Sequence, residues 1–265
     1  MSKIYRLILG KAISLCNIFL KYVRIRKRIL NQYSKSVFNR SAFRINGLLA
    51  STKGETYLEI GVYSGFTFEL VNANQKVAVD PSPRFFKIPS KNHEIHVQTS
   101  DAYFANISPK KKFDVIFIDG LHEAFQVYRD IANSVEHLAE EGFILVDDVW
   151  PVSRMASISP RFMNTKELEL IERNAFSWQG DVFAAIDHLI TNCQSLDVTI
   201  LTSDNHIQAV IRLKGNSETL LAGFDQNSYD EILDKFRKVE FSSELPKYWR
   251  IVVDELFFND GKVAI

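Results

Sequence analysis

The chain has 265 residues, 46% of them hydrophobic and 24% charged, which is typical of a globular protein with one decorated domain or two domains. Its two cysteines, Cys16 and Cys193, lie far apart and form no CxxC motif, which argues against a disulfide framework or a structural zinc site and favours a reducing, cytoplasmic setting. The net charge of zero hides an asymmetry, because residues 1–53 hold 12 Lys/Arg and no Asp/Glu.

Residues 1–52 are predicted to form a basic, amphipathic helical arm. Polar residues from Lys3 to Arg28 recur every three to five positions with apolar residues between them, which is typical of a helix with a narrow basic stripe. Lys11 interrupts the apolar run before it reaches the roughly 18–20 residues of a membrane span, and it also disfavours a signal peptide. The helix therefore packs on the protein's own body, on a second subunit of a homo-oligomer, or in the plane of a membrane through residues 1–31.

Nucleic-acid binding is not expected from this arm. It contains no recognisable recognition module, and the rest of the chain is acidic, with 32 Asp/Glu.

Short apolar segments alternate with helical segments after residue 54. Strands are predicted at residues 57–60, 76–80, 94–97, 113–119 and 143–147. Helices are predicted at residues 41–51, 66–71, about 123–140 with Gly142 just past its end, 165–173 and 182–192. This alternation predicts an α/β fold with a Rossmann-like, doubly wound, mostly parallel sheet.

The end of the core is predicted to be antiparallel. Residues 198–201 and 207–211 flank the turn-forming residues 203–205, which indicates a hairpin. The tail from Tyr229 onward is predicted to form two helices. We therefore expect a helical arm over residues 1–52, a Rossmann-like core over 53–215 and a helical extension over 216–265.

Four carboxylates follow predicted strands. They are Asp80, Asp119, Asp147 and Asp148. Ligands of open α/β sheets bind at the carboxyl ends of the strands, so carboxylates there are well placed for function. Aspartate also favours turns and helix N-termini, which is the alternative explanation for any single one of them.

The segment Gly61-Val62-Tyr63-Ser64-Gly65 follows the first predicted strand and opens a helix. Glycines there let the backbone approach a ligand, and the helix N-terminus offers free N–H groups. Asp80 lies 19 residues after Gly61, which suits a residue that binds ribose hydroxyls. Because Tyr63 replaces a glycine of the GxGxxG pattern, the spacing alone fits an NAD site or an S-adenosylmethionine (SAM) site.

A family resemblance decides between these cofactors. Residues 57–67, YLEIGVYSGFT, resemble the first motif of class I SAM-dependent methyltransferases. They are most similar to metal-dependent small-molecule O-methyltransferases of the catechol and caffeoyl-CoA types and to bacterial sugar and macrolide relatives. Residues 117–123, FIDGLHE, resemble the strand-four motif of the bacterial branch, and residues 146–148, VDD, resemble the acidic pair that closes strand five. The resemblance covers about residues 50–215.

The resemblance implies a cofactor site and a metal site. Asp80 would hold the ribose hydroxyls, and Ser100 and Asp101 would meet the adenine. The methionine end of SAM would be contacted by Glu59, Gly61, Tyr63, Ser64 and Gly65. The divalent-metal positions of the family correspond to Asp119, Asp147 and Asp148. Three oxygen ligands with open positions suit Mg²⁺.

His122 is the candidate general base, with Asp119 as the second catalytic residue. It lies three positions after Asp119, where catechol-type enzymes place a catalytic lysine, and an ordinary histidine can take a proton from a hydroxyl near neutral pH. The alternative is that His122 only begins the following helix. The resemblance thus implies methyl transfer to a hydroxyl of a small molecule such as a sugar, polyketide or phenol.

Several residues carry weaker predictions. The other five histidines are interpreted as structural or surface groups, Trp150 as either a pocket or a core residue, and Asp181 as the N-cap of the helix that follows it.

Three other functions stay open at this point. The acidic residues could position the acceptor without a metal. The chain could be a membrane-attached binding module that lost catalysis, although retention of the acidic residues argues against this. It could also be an NAD-dependent enzyme.

Overall fold

The structure is a computed structural model that describes residues 39–84, 92–163, 178–203, 206–215, 221–241 and 245–253. The compact unit that holds the sheet begins at Arg40. The predicted amphipathic helix of residues 1–31 and the helix predicted at 165–173 lie outside the described residues. Within the described residues, no helix combines the length and the apolarity that crossing a membrane requires.

Helices and strands alternate along the described residues as the sequence predicts. The helices are α1 (Arg40–Thr52), α2 (Phe66–Leu70), α3 (Ser100–Phe104), α4 (Ala124–Glu136), α5 (Val182–Asn192) and α6 (Gln226–Phe236), with a 3₁₀ turn at Pro160–Phe162. The strands are β1 (Thr56–Ile60), β2 (Gln75–Val79), β3 (His93–His96), β4 (Phe113–Ile118), β5 (Leu138–Val146), β6 (Leu196–Ser203), β7 (His206–Leu213) and β8 (Ile251–Val253).

All eight described strands join one sheet in the order β3-β2-β1-β4-β5-β7-β6-β8. Strands β1 to β5 pair in parallel, and β7 is antiparallel to both β5 and β6. This confirms the predicted α/β fold with a mostly parallel sheet and a C-terminal antiparallel hairpin. The chain reverses its direction of winding between β1 and β4, the kind of position where such sheets bind ligands.

One helix boundary and the tail differ from the prediction. The helix predicted to reach residue 140 ends at Glu136, and Gly142 lies within β5 rather than past a helix end. Sheet pairing explains the early end, because Leu138 pairs with Phe113 and the carbonyl of His137 accepts the Phe113 N–H. In the described part of the tail, helix α6 is followed by strand β8, which pairs with β6, whereas two helices were predicted from Tyr229 onward.

Strand residues alternate between two apolar layers, one on each face of the sheet. Ile60 and Ile118 face α4, α5 and α6, whereas Tyr57 and Phe117 face α1 and α2. Burial on both faces is the reason that the parallel strands read as continuous apolar runs.

Helix α1 is part of this packing. Ile45, Leu48 and Leu49 are buried against the sheet, and even the side chain of Arg44 is fully buried. Residues 40–52 therefore contribute to the core, although the sequence grouped them with the basic arm.

Trp150 lies in the core. Its ring contacts those of Phe183, Phe236, Phe241 and Trp249 at centroid distances of 5.0–6.4 Å, and only 4% of the residue is exposed. Of the two sequence interpretations, the structure supports the core aromatic rather than the pocket wall.

We expect Trp150→Ala to lower the free energy of unfolding by about 3–5 kcal/mol, because it leaves a cavity among four aromatic rings. Urea unfolding followed by far-UV circular dichroism measures the change. The control is Met155→Ala, whose side chain is 77% exposed and whose loss should shift stability by about 0.5 kcal/mol or less. Equal unfolding midpoints for the two variants would contradict the core assignment.

Candidate active site

A cavity of about 450 Å³ opens at the carboxyl ends of β1, β2 and β4, within the range of roughly 300–1,000 Å³ that small-molecule sites occupy. Its lining includes the predicted residues Gly61, Tyr63, Asp80, Ser100 and Asp119. Glu59, Ser64, Gly65 and Asp101 are not among the described residues that line it.

Gly61 brings the ends of β1 and β4 together. Its φ is +85°, and a Cβ at this position would lie 2.0 Å from the carbonyl oxygen of Asp119. Only glycine avoids that clash and tolerates the left-handed conformation. The glycine therefore places the loop after β1 directly against Asp119.

Asp80 is held in a fixed orientation at the cavity wall. Its Oδ2 accepts the Tyr63 N–H at 2.8 Å, and its Oδ1 accepts the Ser82 N–H at 2.6 Å. Each carboxylate oxygen has a further lone pair, so the side chain can still accept hydrogen bonds from a ligand.

The far side of the cavity contains two residues that sequence reasoning missed. The side-chain amide nitrogen of Gln126, Nε2, donates to Ser100 Oγ, Asp101 Oδ1 and Asp130 Oδ1 at 3.0–3.2 Å. Gln126 and Asp130 both line the cavity, and burial raises the pKa of Asp130 to about 6. The sequence signal is a polar residue, Asp130, among the apolar residues Val127 and Ile131 that α4 buries. Such a signal is weak in sequence alone.

Glu59 lies beneath the cavity rather than in its wall. It is buried, and its Oε2 accepts the Tyr57 hydroxyl at 2.6 Å. Burial raises the pKa of Glu59 to about 8, so the carboxyl group is neutral at pH 7.

A cluster of Asp119, His122 and Asp148 adjoins the cavity through Asp119. His122 Nε2 lies 3.2 Å from Asp119 Oδ1 and 3.3 Å from Asp148 Oδ2. One ligand atom from each of the three residues lies within 4.8 Å of the other two. The structure thus unites Asp119 and Asp148 of the predicted metal set with His122, which was predicted as the base.

The hydrogen bonds of His122 define its charge state. Its Nδ1 lies 3.3 Å from the Trp178 carbonyl oxygen, so Nδ1 must carry the proton of that bond. Burial alone lowers the pKa of His122, but the charge of Asp148 and the hydrogen bond with Asp119 outweigh burial and raise the pKa to about 9. The two carboxyl groups thus favour the protonated ring, while burial raises the pKa of Asp148 well above its usual value.

The backbone is strained at two of these residues. His122 has a φ of +57° and Asp148 a φ of +56°, in the left-handed region that side chains rarely adopt. Such strain persists only where the surroundings enforce it, and it concentrates at functional sites.

The segment around Trp178 supports His122. The Trp178 ring lies 5.3 Å from the His122 ring, and a Cβ at Gly180 (φ +62°) would lie 1.9 Å from the His122 carbonyl oxygen. Gly180 is thus required for the close approach of the two segments. Asp181 occupies the N-cap position of α5 as predicted, but its side chain makes no cap hydrogen bond. Its Oδ1 instead accepts the Ala124 N–H of α4 at 3.0 Å, and its Oδ2 accepts the Tyr229 hydroxyl at 2.7 Å.

Asp147 lies beside this cluster but its carboxylate turns to other partners. Its Oδ2 accepts the Ser41 hydroxyl at 3.2 Å, and its Oδ1 lies 3.6 Å from His206 Nε2. His206 was predicted to be a structural or surface residue in the hairpin turn. That position in the sequence gives no indication that the side chain lies beside Asp147. The other four histidines lie in or beside β3 (His93, His96), at the end of α4 (His137) and within α5 (His188).

Comparison with known proteins gives one family match. Residues 58–149 match the model of a family described as a methyltransferase domain. No curated protein matches the chain.

Three solved structures of similar fold are distant from this chain in sequence. An O-methyltransferase from Bacillus cereus in complex with SAH has a TM-score of 0.46 and 14% identity, covering 74% of this chain and 90% of that one. An SAH-bound methyltransferase from Podospora anserina has a TM-score of 0.48 and 17% identity, covering 69% and 82%. The O-methyltransferase TomG from Streptomyces achromogenes, in complex with SAM, has a TM-score of 0.45 and 12% identity, covering 68% and 82%.

We expect Glu59→Gln to remove part of the pH dependence of stability. Glu59 keeps its proton up to about pH 8 in the folded protein, against a usual pKa of 4.5. Between these values the folded state binds one proton more, so its contribution to the unfolding free energy falls by about 1 kcal/mol per pH unit as pH rises. Glutamine can still accept the Tyr57 hydrogen bond but carries no titrating proton.

Urea unfolding at pH 5, 6, 7 and 8 tests this expectation. The advantage of Glu59→Gln over the parent protein should grow with pH, whereas the exposed control Glu55→Gln should show no such trend. Parallel curves for parent and Glu59→Gln would rule out a buried, neutral Glu59.

Proposed function

We propose that this chain, which carries a methyltransferase domain over residues 58–149, transfers the methyl group of SAM to a hydroxyl oxygen of a small molecule. The family match confirms the methyltransferase resemblance predicted from the motifs. The observation that carries the proposal is that Asp119 belongs both to the cavity wall and to the cluster with His122 and Asp148. A cofactor in the cavity and an acceptor at the cluster would therefore meet at Asp119.

The cavity residues fit SAM. Asp80 presents an oriented carboxylate that suits ribose hydroxyls, and the close approach at Gly61 leaves the backbone open to a ligand. Ser100, Gln126 and Asp130 offer polar groups at the other side, which suit an adenine. Bound SAM would supply an electrophilic methyl group.

The cluster fits a divalent cation. Asp119, His122 and Asp148 offer two oxygen ligands and one nitrogen ligand within 4.8 Å of each other. Burial raises the pKa of Asp119 to about 6, and a bound cation would favour its charged form. Mg²⁺ prefers oxygen ligands, whereas Mn²⁺ and Zn²⁺ also accept imidazole. A bound cation would supply Lewis-acid activation of the acceptor hydroxyl.

Proton transfer then falls to the cluster. Because Nδ1 donates to the Trp178 carbonyl, His122 can act as general base only through Nε2. This requires that Nε2 is not a cation ligand, so that the cation would be held by Asp119 and Asp148, and that Nε2 has lost the proton that the two carboxyl groups stabilise. Base catalysis by His122 should then increase as pH rises toward 9. Asp119 and Trp178 hold the ring in one orientation through Nε2 and Nδ1. Most of the rate enhancement would come from positioning of the two substrates.

A metal-independent methyltransferase is the second candidate function. It is favoured by the position of His122 Nε2, which lies within 3.3 Å of both carboxylates and already supplies a cation to the cluster. In this case Asp119 and Asp148 position the acceptor and His122 balances their charge.

Contacts with other partners remain predictions. Residues 1–31 could hold the protein on an anionic membrane or join two subunits, in keeping with a cytoplasmic protein that is peripherally attached or oligomeric. Sedimentation with liposomes that contain anionic lipids, with and without residues 1–31, tests the membrane contact.

Calorimetric titration with S-adenosylhomocysteine should show binding that depends on Asp80. We expect Asp80→Ala to weaken affinity about 10- to 100-fold, because hydrogen bonds to a charged group contribute about 1.5–3 kcal/mol. The control Glu141→Gln, on an exposed residue of β5, should bind like the parent protein. Binding of NAD without binding of S-adenosylhomocysteine would show that the chain is an NAD-dependent protein instead.

We expect His122→Ala to lower methyl transfer about 10²- to 10⁴-fold, the usual contribution of a general base, while S-adenosylhomocysteine affinity stays within about threefold. The assay follows release of S-adenosylhomocysteine with a panel of sugar, polyketide and phenol acceptors. Addition of EDTA separates the two candidate mechanisms, since only the cation-assisted reaction should stop. Unchanged turnover in His122→Ala would exclude a role for His122 in the chemistry.

A further inference from the structure

Asp147 makes a hydrogen bond that bears on the conformation of its neighbour. Its Oδ1 accepts the backbone N–H of Asp148 at 2.8 Å. Asp148 has the left-handed φ of +56°, a conformation that is unfavourable for a residue with a side chain unless local hydrogen bonds support it. The bond from Asp147 supplies such support.

The conformation of Asp148 decides where its side chain lies. In the observed turn, Asp148 Oδ2 is 3.3 Å from His122 Nε2. A relaxed backbone at Asp148 would redirect the Cα–Cβ bond and separate this carboxylate from His122. The Asp148 contact therefore depends on the Asp147 carboxylate being correctly oriented.

A buried chain of hydrogen bonds orients that carboxylate. Arg44 can only donate, and its Nη1 donates to Gln208 Oε1 at 2.8 Å. This fixes the amide of Gln208, whose Nε2 then donates to Ser41 Oγ at 2.8 Å. Ser41 in turn donates its hydroxyl proton to Asp147 Oδ2 at 3.2 Å, and its Oγ also lies 3.2 Å from His206 Nε2.

All four residues joined by these hydrogen bonds are shielded from water. Arg44 and Gln208 are 0% exposed, Ser41 is 6% exposed and Asp147 is 9% exposed. Because unsatisfied polar groups are costly in such surroundings, each donor holds its partner in one orientation. Helix α1 and strand β7 thus jointly fix the Asp147 carboxylate.

We propose that Asp147 is a positioning residue: its carboxylate, oriented by Arg44, Gln208 and Ser41, holds the Asp148 backbone in the turn that brings the Asp148 carboxylate to His122. This differs from the sequence prediction, in which Asp147 is itself a metal ligand. The inference rests on the proposed function only in taking the cluster of Asp119, His122 and Asp148 as the active centre.

The matched variants Asp147→Asn and Asp147→Ala separate positioning from ligation and from charge. Both remove the negative charge, but only asparagine retains an oxygen that can accept the Asp148 N–H. Calorimetric titration of the full chain with Mn²⁺ should therefore give an affinity about tenfold or more higher for Asp147→Asn than for Asp147→Ala, a loss in alanine of the size that outer hydrogen-bond partners of metal sites cause. Equal affinities for the two variants would overturn the proposal.

The effect of Asp147 must disappear when Asp148 is absent. In an Asp148→Ala background, asparagine and alanine at position 147 should give the same Mn²⁺ affinity, because there is no longer a carboxylate to position. A difference that persists in this background would show that Asp147 acts on the cation directly and would also overturn the proposal.

Ser41→Ala tests the orienting chain without touching the acidic residues. We expect it to weaken Mn²⁺ binding about three- to tenfold, whereas the control Ser51→Ala on the same helix should leave it unchanged. Ser51 donates its hydroxyl proton to the Leu48 carbonyl oxygen at 2.7 Å, within the same helix. An unchanged affinity in Ser41→Ala would remove Ser41 from the chain of positioning contacts.

A second measurement keeps this test independent of the proposed function. Side-chain ¹⁵N signals of His122 in the cation-free protein report its contact with Asp148. They should be retained in Asp147→Asn and shifted in Asp147→Ala, even if the protein binds neither Mn²⁺ nor S-adenosylhomocysteine. Failure of cofactor binding would then refute the proposed function alone, while identical His122 signals in both variants would refute the positioning role alone.

Discussion

The close approach of two strand ends is the constraint on which the site depends. At Gly61 the backbone comes so near the carbonyl of Asp119 that a side chain could not be accommodated. This contact joins the loop after β1, which borders the cavity, to the end of β4, which carries Asp119 and leads to His122. The cavity and the charged cluster are consequently neighbours, which is the arrangement that a two-substrate transfer requires.

Two carboxylates close together repel each other, which lowers the stability of the fold, and the surrounding structure offsets this repulsion. Asp119 and Asp148 both lie within 3.3 Å of His122 Nε2, and a protonated ring offsets the repulsion between their carboxylates. The left-handed backbone at His122 and Asp148 adds strain. Rigid contacts oppose its release: Gly180 packs against the His122 carbonyl, and Asp147 caps the Asp148 N–H. Stability given up in this way is typical of a functional site rather than of a structural ion pair.

Sequence reasoning reached the fold and several residues of the cavity wall because both follow from local patterns. Apolar runs predicted the strands, and the strand ends placed Asp80 and Asp119 at the edge of the sheet where the cavity lies. Sequence alone could not group the residues of the cluster, since neighbouring residues such as Asp147 and Asp148 look equivalent until the turn between them is known. Ser41 and Arg44 were not singled out for another reason: nothing local in the sequence marks which polar residues of α1 are buried.

The residues of the site and the groups that orient them come from different parts of the sequence. Asp80, Asp119, His122 and Asp148 all lie within residues 58–149, the segment that matches the methyltransferase domain. The groups that orient them lie outside it, with Ser41 on α1, Gln208 on β7 and Trp178 before α5. The matched segment thus carries residues of the cavity wall and of the charged cluster, while the segments that flank it orient those residues and determine how the cluster is presented.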